Sequence, residues 1–140
     1  MRKALFILMM IATSLVYSQQ IDNRFIEGSW KVISVDQSPD NPPFSLLVNS
    51  FKKAIFTFNE DQSCSLKTGL QNGLFRLMSD AVSESTWALS DQNMQPSIVI
   101  EGFGGKKNLE IFVSRAGSEV FFELGQPGDD KYFMLNVEKQ

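Results

Sequence analysis

Histidine is absent from the 140 residues, and cysteine occurs once, at Cys64. Without histidine there is no Ser-His-Asp triad and no imidazole metal ligand. A single cysteine forms no internal disulfide. Cationic charge is also short: 13 Lys and Arg face 16 Asp and Glu, for a net charge of -3. A general nucleic-acid binder needs a basic face to neutralise phosphates, so the balance argues against that class. Internal repeats, charge runs and low-complexity segments are missing too. What the chain has in quantity is apolar material: 43% of its residues are hydrophobic, among them 12 phenylalanines. That is enough for one core and wrong for disorder.

The first eighteen residues read as a leader. Met1-Arg2-Lys3 is a short basic start, and residues 4–15 are apolar except for Thr13 and Ser14. Val16-Tyr17-Ser18 places a small residue at the end of the run, before Gln19. This is the pattern of a cleaved secretory signal peptide. The apolar run falls short of the roughly 20 residues that a membrane-spanning helix needs. No cysteine lies near the cleavage point, so no lipid anchor is expected. Gln19 at the new terminus resembles exported proteins of some Gram-negative bacteria. Residues 1–18 are therefore assigned to a signal peptide and 19–140 to one exported domain, periplasmic or secreted. The leader carries Arg2 and Lys3 but no acidic residue, so the remaining chain is more acidic still.

In that domain, short alternating runs recur between turn signals. Strands are predicted over 29–35, 54–59, 63–69, 74–78, 84–89, 97–101, 109–114, 119–124 and 131–137. Asn72-Gly73 reads as a tight hairpin between the third and fourth, since both residues tolerate positive φ. Residues 21–27 predict one short helical turn, and 45–53 a short helix. Brief turns between so many strands exclude parallel crossovers, which need a dozen residues or more. The predicted fold is all-β, an antiparallel up-and-down β-barrel of about 8-9 strands, because consecutive strands pair and closure removes exposed edges.

Gly28-Ser29-Trp30, at the start of the first strand after a short turn, resembles the entry motif of the lipocalins. Phe56-Thr57-Phe58-Asn59-Glu60-Asp61-Gln62-Ser63 resembles the second-to-third strand hairpin of small bacterial lipocalin-like domains, with Gln62 where glycine is usual. The resemblance runs over most of residues 21–140. It implies structural roles for Gly28, which lets the chain bend into the barrel, and for Trp30, whose ring closes one end. The pattern departs elsewhere. Arg115-Ala116-Gly117-Ser118 stands in place of a Thr-Asp-Tyr-like motif, there is no long C-terminal helix, and no arginine follows the last strand to stack on the tryptophan. Lys131 or Lys139 is left for that role. This is the outline of an outlying, reduced member, whose relatives bind small apolar molecules.

A barrel of about eight strands is just wide enough to fill with side chains or to hold one small ligand. Phe56, Phe58, Leu66, Trp87, Ile111, Phe122 and Phe133 are the inward candidates for lining a cup. Arg76, Lys67 and Tyr132 are candidates to orient a polar head group. Phe44, Leu46, Leu47 and Phe51, in the connection over 36–50 and just beyond, suit either a lid or a loop tucked over the rim. Phe121 is out of phase with its neighbours and is expected to face outward, as a contact for a partner. Cys64 alternates with strand residues and reads as a small buried hydrophobe.

Carboxylate pairs such as Glu60-Asp61 and Asp129-Asp130 sit in turns, and Gly102-Phe103-Gly104-Gly105-Lys106 joins two strands rather than entering a helix. Neither arrangement supplies an active site or a phosphate cradle. The expectation is a non-catalytic, monomeric binding protein for a small hydrophobic or amphipathic molecule. It would use no cofactor or metal, contact no nucleic acid and not insert stably into a membrane. The alternative is a filled barrel that acts through a protein partner.

Overall fold

Alternation of buried and exposed side chains runs along nearly every strand and aims one face inward. The structure is a computed structural model and describes residues 20–70, 73–92 and 94–140. The expected leader over 1–18 lies outside the described residues, as does Asn72 of the expected hairpin. A four-residue helix, α1 (Asn23–Ile26), leads into β1 (Gly28–Gln37). A 3-10 turn (Phe44–Leu46) runs into α2 (Leu47–Phe51), where the short helix is expected. Then come β2 (Ala54–Phe58), β3 (Cys64–Thr68), α3 (Gly73–Ser83), β4 (Thr86–Ser90) and β5 (Ser97–Glu101). The chain ends with β6 (Lys107–Ala116), β7 (Glu119–Leu124) and β8 (Phe133–Lys139).

All eight strands form one antiparallel sheet in the order β3-β2-β1-β8-β7-β6-β5-β4. Only sequence neighbours pair, apart from β1 with β8, so the meander is up-and-down and nearly closed. Two register shifts in β1, between Val32 and Ser34 and between Val35 and Gln37, bend this long strand along β8.

The remaining seam lies between β3 and β4. At one end it is stitched by a bridge from Ser63 to Thr86 and by the Trp87 N–H donating to the Gln62 carbonyl at 2.9 Å. Along the rest, α3 covers the β3 edge. The Ser79 hydroxyl donates to the Leu66 carbonyl at 2.5 Å, and the Cys64 thiol donates to the Val82 carbonyl at 3.4 Å. A helix thus meets edge groups that would otherwise face solvent unpaired.

This corrects the expected fourth strand over 74–78 and the hairpin before it. The segment is helical from Gly73, and the strand count is eight. Its apolar residues are Leu74, Phe75, Leu77, Met78, Ala81 and Val82, a helical spacing of i, i+1, i+3, i+4, i+7 and i+8. No β-branched residue precedes Val82, which also favours helix. Phe75 and Val82 are buried, while Arg76, Leu77 and Asp80 face solvent.

The core fills the barrel. Phe51, Phe56, Phe58, Phe75 and Phe122 are each at most 1% exposed. Phe122 is a hub, with ring centroids 5.5 Å from Trp30, 5.5 Å from Phe56 and 6.2 Å from Phe58. Phe58 reaches on to Trp87 at 5.6 Å. Among the described residues, no helix is long and apolar enough to cross a membrane.

Candidate functional site

The barrel has two unlike ends. At one end lie the chain's entry and exit. The Asp22 carboxylate caps α1 by accepting from the Phe25 N–H at 2.9 Å. Trp30 follows and turns its ring into the base, where its indole N–H donates to the Ile26 carbonyl at 2.8 Å. Lys139 lies over that ring at 5.6 Å and donates to the carbonyls of Arg24 and Phe25. Of the two lysines left for this role, Lys139 fills it, while Lys131 lies over Phe44 at the far end.

Gly28 has a φ of +121°, and a Cβ there would sit 3.0 Å from the Lys139 side chain. Side chains rarely adopt that backbone conformation, so glycine suits this bend. Outside this end lies a hollow of about 770 Å³ whose walls include Asp22, Arg24, Arg115 and Lys139. Phe25, Trp30, Val120 and Val137 also line it, so charged and apolar groups are mixed there.

The other end is the mouth, crossed by residues 38–53, α3 and the β7–β8 connection. Leu47 and Phe51 are buried, so the segment after β1 tucks over the rim. An apolar groove of about 280 Å³ remains between this segment and the β7–β8 connection. Phe44, Leu47 and Phe51 line one side, Met78 the helix side, and Leu109, Leu124 and Phe133 the strand side. Phe51 and Phe133, 5.0 Å apart, form its floor. Asp129 and Lys131 stand among its walls, with the Lys131 ammonium 5.6 Å from the Phe44 ring. The arrangement takes apolar surface and presents a cation and a carboxylate beside it.

The predicted lining residues separate into groups. Phe56, Phe58, Trp87 and Phe122 meet in the ring lattice, and Leu66 and Ile111 are buried in the same core. Phe133 alone of that set reaches the mouth groove. Arg76 and Lys67 are exposed. Tyr132 lies on the outer wall, where its hydroxyl donates to Glu123 at 2.5 Å. Burial and this carboxylate together push its phenol well above the usual range. Phe121 points away from the barrel axis but is only 7% exposed, so the expected open contact for a partner is a covered side chain. Met78, Leu109 and Leu124 line the mouth without being among the predicted lining residues. The helical spacing through Val82 is the signal that points to Met78.

Two further titratable groups serve the wall and the seam. Cys64 is buried, and desolvation pushes its thiol up to about 11. Glu110 is held below the usual carboxylate range, chiefly by its hydrogen bond from Lys107 at 2.8 Å and also by one from Ser97 at 2.9 Å. Neither group faces the groove. No protein-family model, curated protein or solved structure matches this chain. The class that can be stated is therefore architectural: an eight-stranded, antiparallel, up-and-down, nearly closed β-barrel.

Proposed function

We propose that this chain is an outlying lipocalin-like binding protein, exported and non-catalytic. In this reading it takes the apolar part of a small amphipathic molecule at its mouth rather than deep in a cup. The observation that carries it is the groove between Phe44, Phe51 and Phe133, largely apolar and edged by Lys131 and Asp129. Its volume of about 280 Å³ lies at the lower limit of small-molecule sites, which run to roughly 300–1,000 Å³. The groove therefore suits one short chain or ring, with the polar end left at the rim. The positive φ of Gly28 and the Lys139–Trp30 stack support the lipocalin-like reading.

Native mass spectrometry of the protein from an exporting host, before and after incubation with decanoate, tests the reading. A bound mass that is lost in Phe44→Ser and in Lys131→Glu supports it. Binding unchanged in both variants, or no binding at all, refutes it. A second reading, a filled barrel working through its surface, is favoured by the interlocked rings around Phe122. It would be supported by an apo mass that stays unchanged across apolar probes.

A further inference from the structure

Two stretches of chain at the mouth carry cations and protruding leucines with no acidic residue within them. No Asp or Glu lies between Asn41 and Asn59 or between Gln62 and Ser79, in a chain whose net charge is -3. Those stretches contain Lys52, Lys53, Lys67 and Arg76, all exposed. Among the described residues, none of the four is in an ion pair; the pair present is Lys107 with Glu110. The same stretches hold four exposed large apolar side chains: Leu46 at 64%, Leu70 at 49%, Leu77 at 69% and, less so, Ile55 at 37%.

Local contacts hold these residues on one side of the molecule. Leu46 ends the 3-10 turn that runs directly into α2, which carries Ser50. The Ser50 hydroxyl donates to the Leu70 carbonyl at 2.5 Å, and Thr68 donates to the Ser50 carbonyl at 2.7 Å. The rings of Phe51 and Phe75, 5.4 Å apart, lock α2 to α3, which carries Arg76 and Leu77. Asp80, four residues after Arg76 and three after Leu77, is the acidic side chain that borders them on α3.

We infer that this face docks on an anionic lipid surface. Protruding leucines bury themselves in the boundary between head groups and acyl chains, and flanking lysines meet the lipid charges. Three separate leucines, each about half exposed or more, suit a deformable surface better than a rigid complementary one. Docking in this way is peripheral and leaves the barrel outside the hydrocarbon.

Vesicle flotation of the purified full chain tests the inference, with phosphatidylcholine vesicles against phosphatidylcholine mixed with phosphatidylglycerol. All variants keep the same N-terminus, confirmed by intact mass, so any leader contributes equally. Binding is expected to favour the anionic vesicles, to weaken with salt, and to fall about tenfold or more in the combined variant Lys52→Glu, Lys53→Glu, Arg76→Glu. Leu46→Ser with Leu77→Ser, which leaves charge unchanged, is also expected to lower binding. Arg24→Glu at the opposite end makes the same charge change as Arg76→Glu and is expected to weaken binding less.

The inference is overturned by equal binding to both vesicle types, by equal losses in Arg24→Glu and Arg76→Glu, or by no vesicle binding by the parent. The last result would leave a protein as the partner of this face. Decanoate binding by the combined charge variant reports on the groove separately, so either idea can fail alone.

Discussion

Replacing Phe122 with alanine tests whether the barrel interior is a packed solid. Its ring is fully buried and touches Trp30, Phe56 and Phe58, which belong to β1 and β2 across the barrel. Truncating a buried Phe to Ala costs about 3–5 kcal/mol, more where the surroundings cannot collapse. Here the wall is closed by hydrogen-bonded strands, so collapse is limited. Each lost aromatic pair adds about 0.5–1.5 kcal/mol beyond burial. The upper part of the range is therefore expected, about 4–5 kcal/mol, against about 1–2 for Phe122→Leu. In a domain of this size that lowers Tm by roughly 10–20 °C.

Urea unfolding followed by tryptophan fluorescence is the assay, because Trp30 and Trp87 are both buried beside the lattice. A cost below about 1 kcal/mol, with an unchanged denaturant slope, would refute the packing argument. The alanine variant should also gain a dry internal void that binds a small aromatic such as benzene. Ligand-dependent stabilisation should then appear in the variant and not in the parent.

Three other outcomes are expected. Cys64 should resist thiol labelling in the native state and react on unfolding. Its neutral form is favoured when folded, so its contribution to stability is present below its ordinary value of 9.0 and is lost as pH rises towards about 11; Cys64→Ala should flatten that alkaline slope in pH-dependent urea titrations. Glu110 has the opposite sign. Its charged form is favoured when folded, so its contribution is present above its ordinary 4.5 and is lost as pH falls through the lowered value. Glu110→Gln should therefore reduce the acid sensitivity of unfolding, by a small amount because Lys107 is exposed. Gly28→Ala should cost about 1–2 kcal/mol through backbone strain, and Lys139→Met in the same background should relieve little of it. A neutral Gly28→Ala in chemical denaturation would show that the positive φ is not required.

Alternation alone makes most of the strands legible in the sequence. Ala54, Phe56 and Phe58 point inward as their period of two requires, as do Val120, Phe122 and Leu124. The turn after Phe58 is legible too, because Asp61 accepts hydrogen bonds from the Ser63 N–H and hydroxyl within a short polar stretch. The segment from Gly73 to Ser83 misleads because Asn-Gly is a strong hairpin signal and Leu74 to Met78 is a short apolar run. Such a run is ambiguous until its continuation to Val82 is counted. Phe121 misleads in another way. Its phase places it correctly on the outer side, but phase carries no information about what covers a residue there.

Interior and wall positions thus follow from local chemistry: periodicity sets which side chains face in, and glycine at position 28 permits the bend into the barrel. Whether the interior is hollow does not follow locally. The same apolar residues line a cup or fill it, depending on how far opposite walls stand apart. That separation is set by strand pairing around the whole barrel and by α3 along its seam, contacts between residues distant in sequence. Those long-range contacts interlock the rings of Phe56, Phe58 and Phe122 and leave an apolar groove at the mouth.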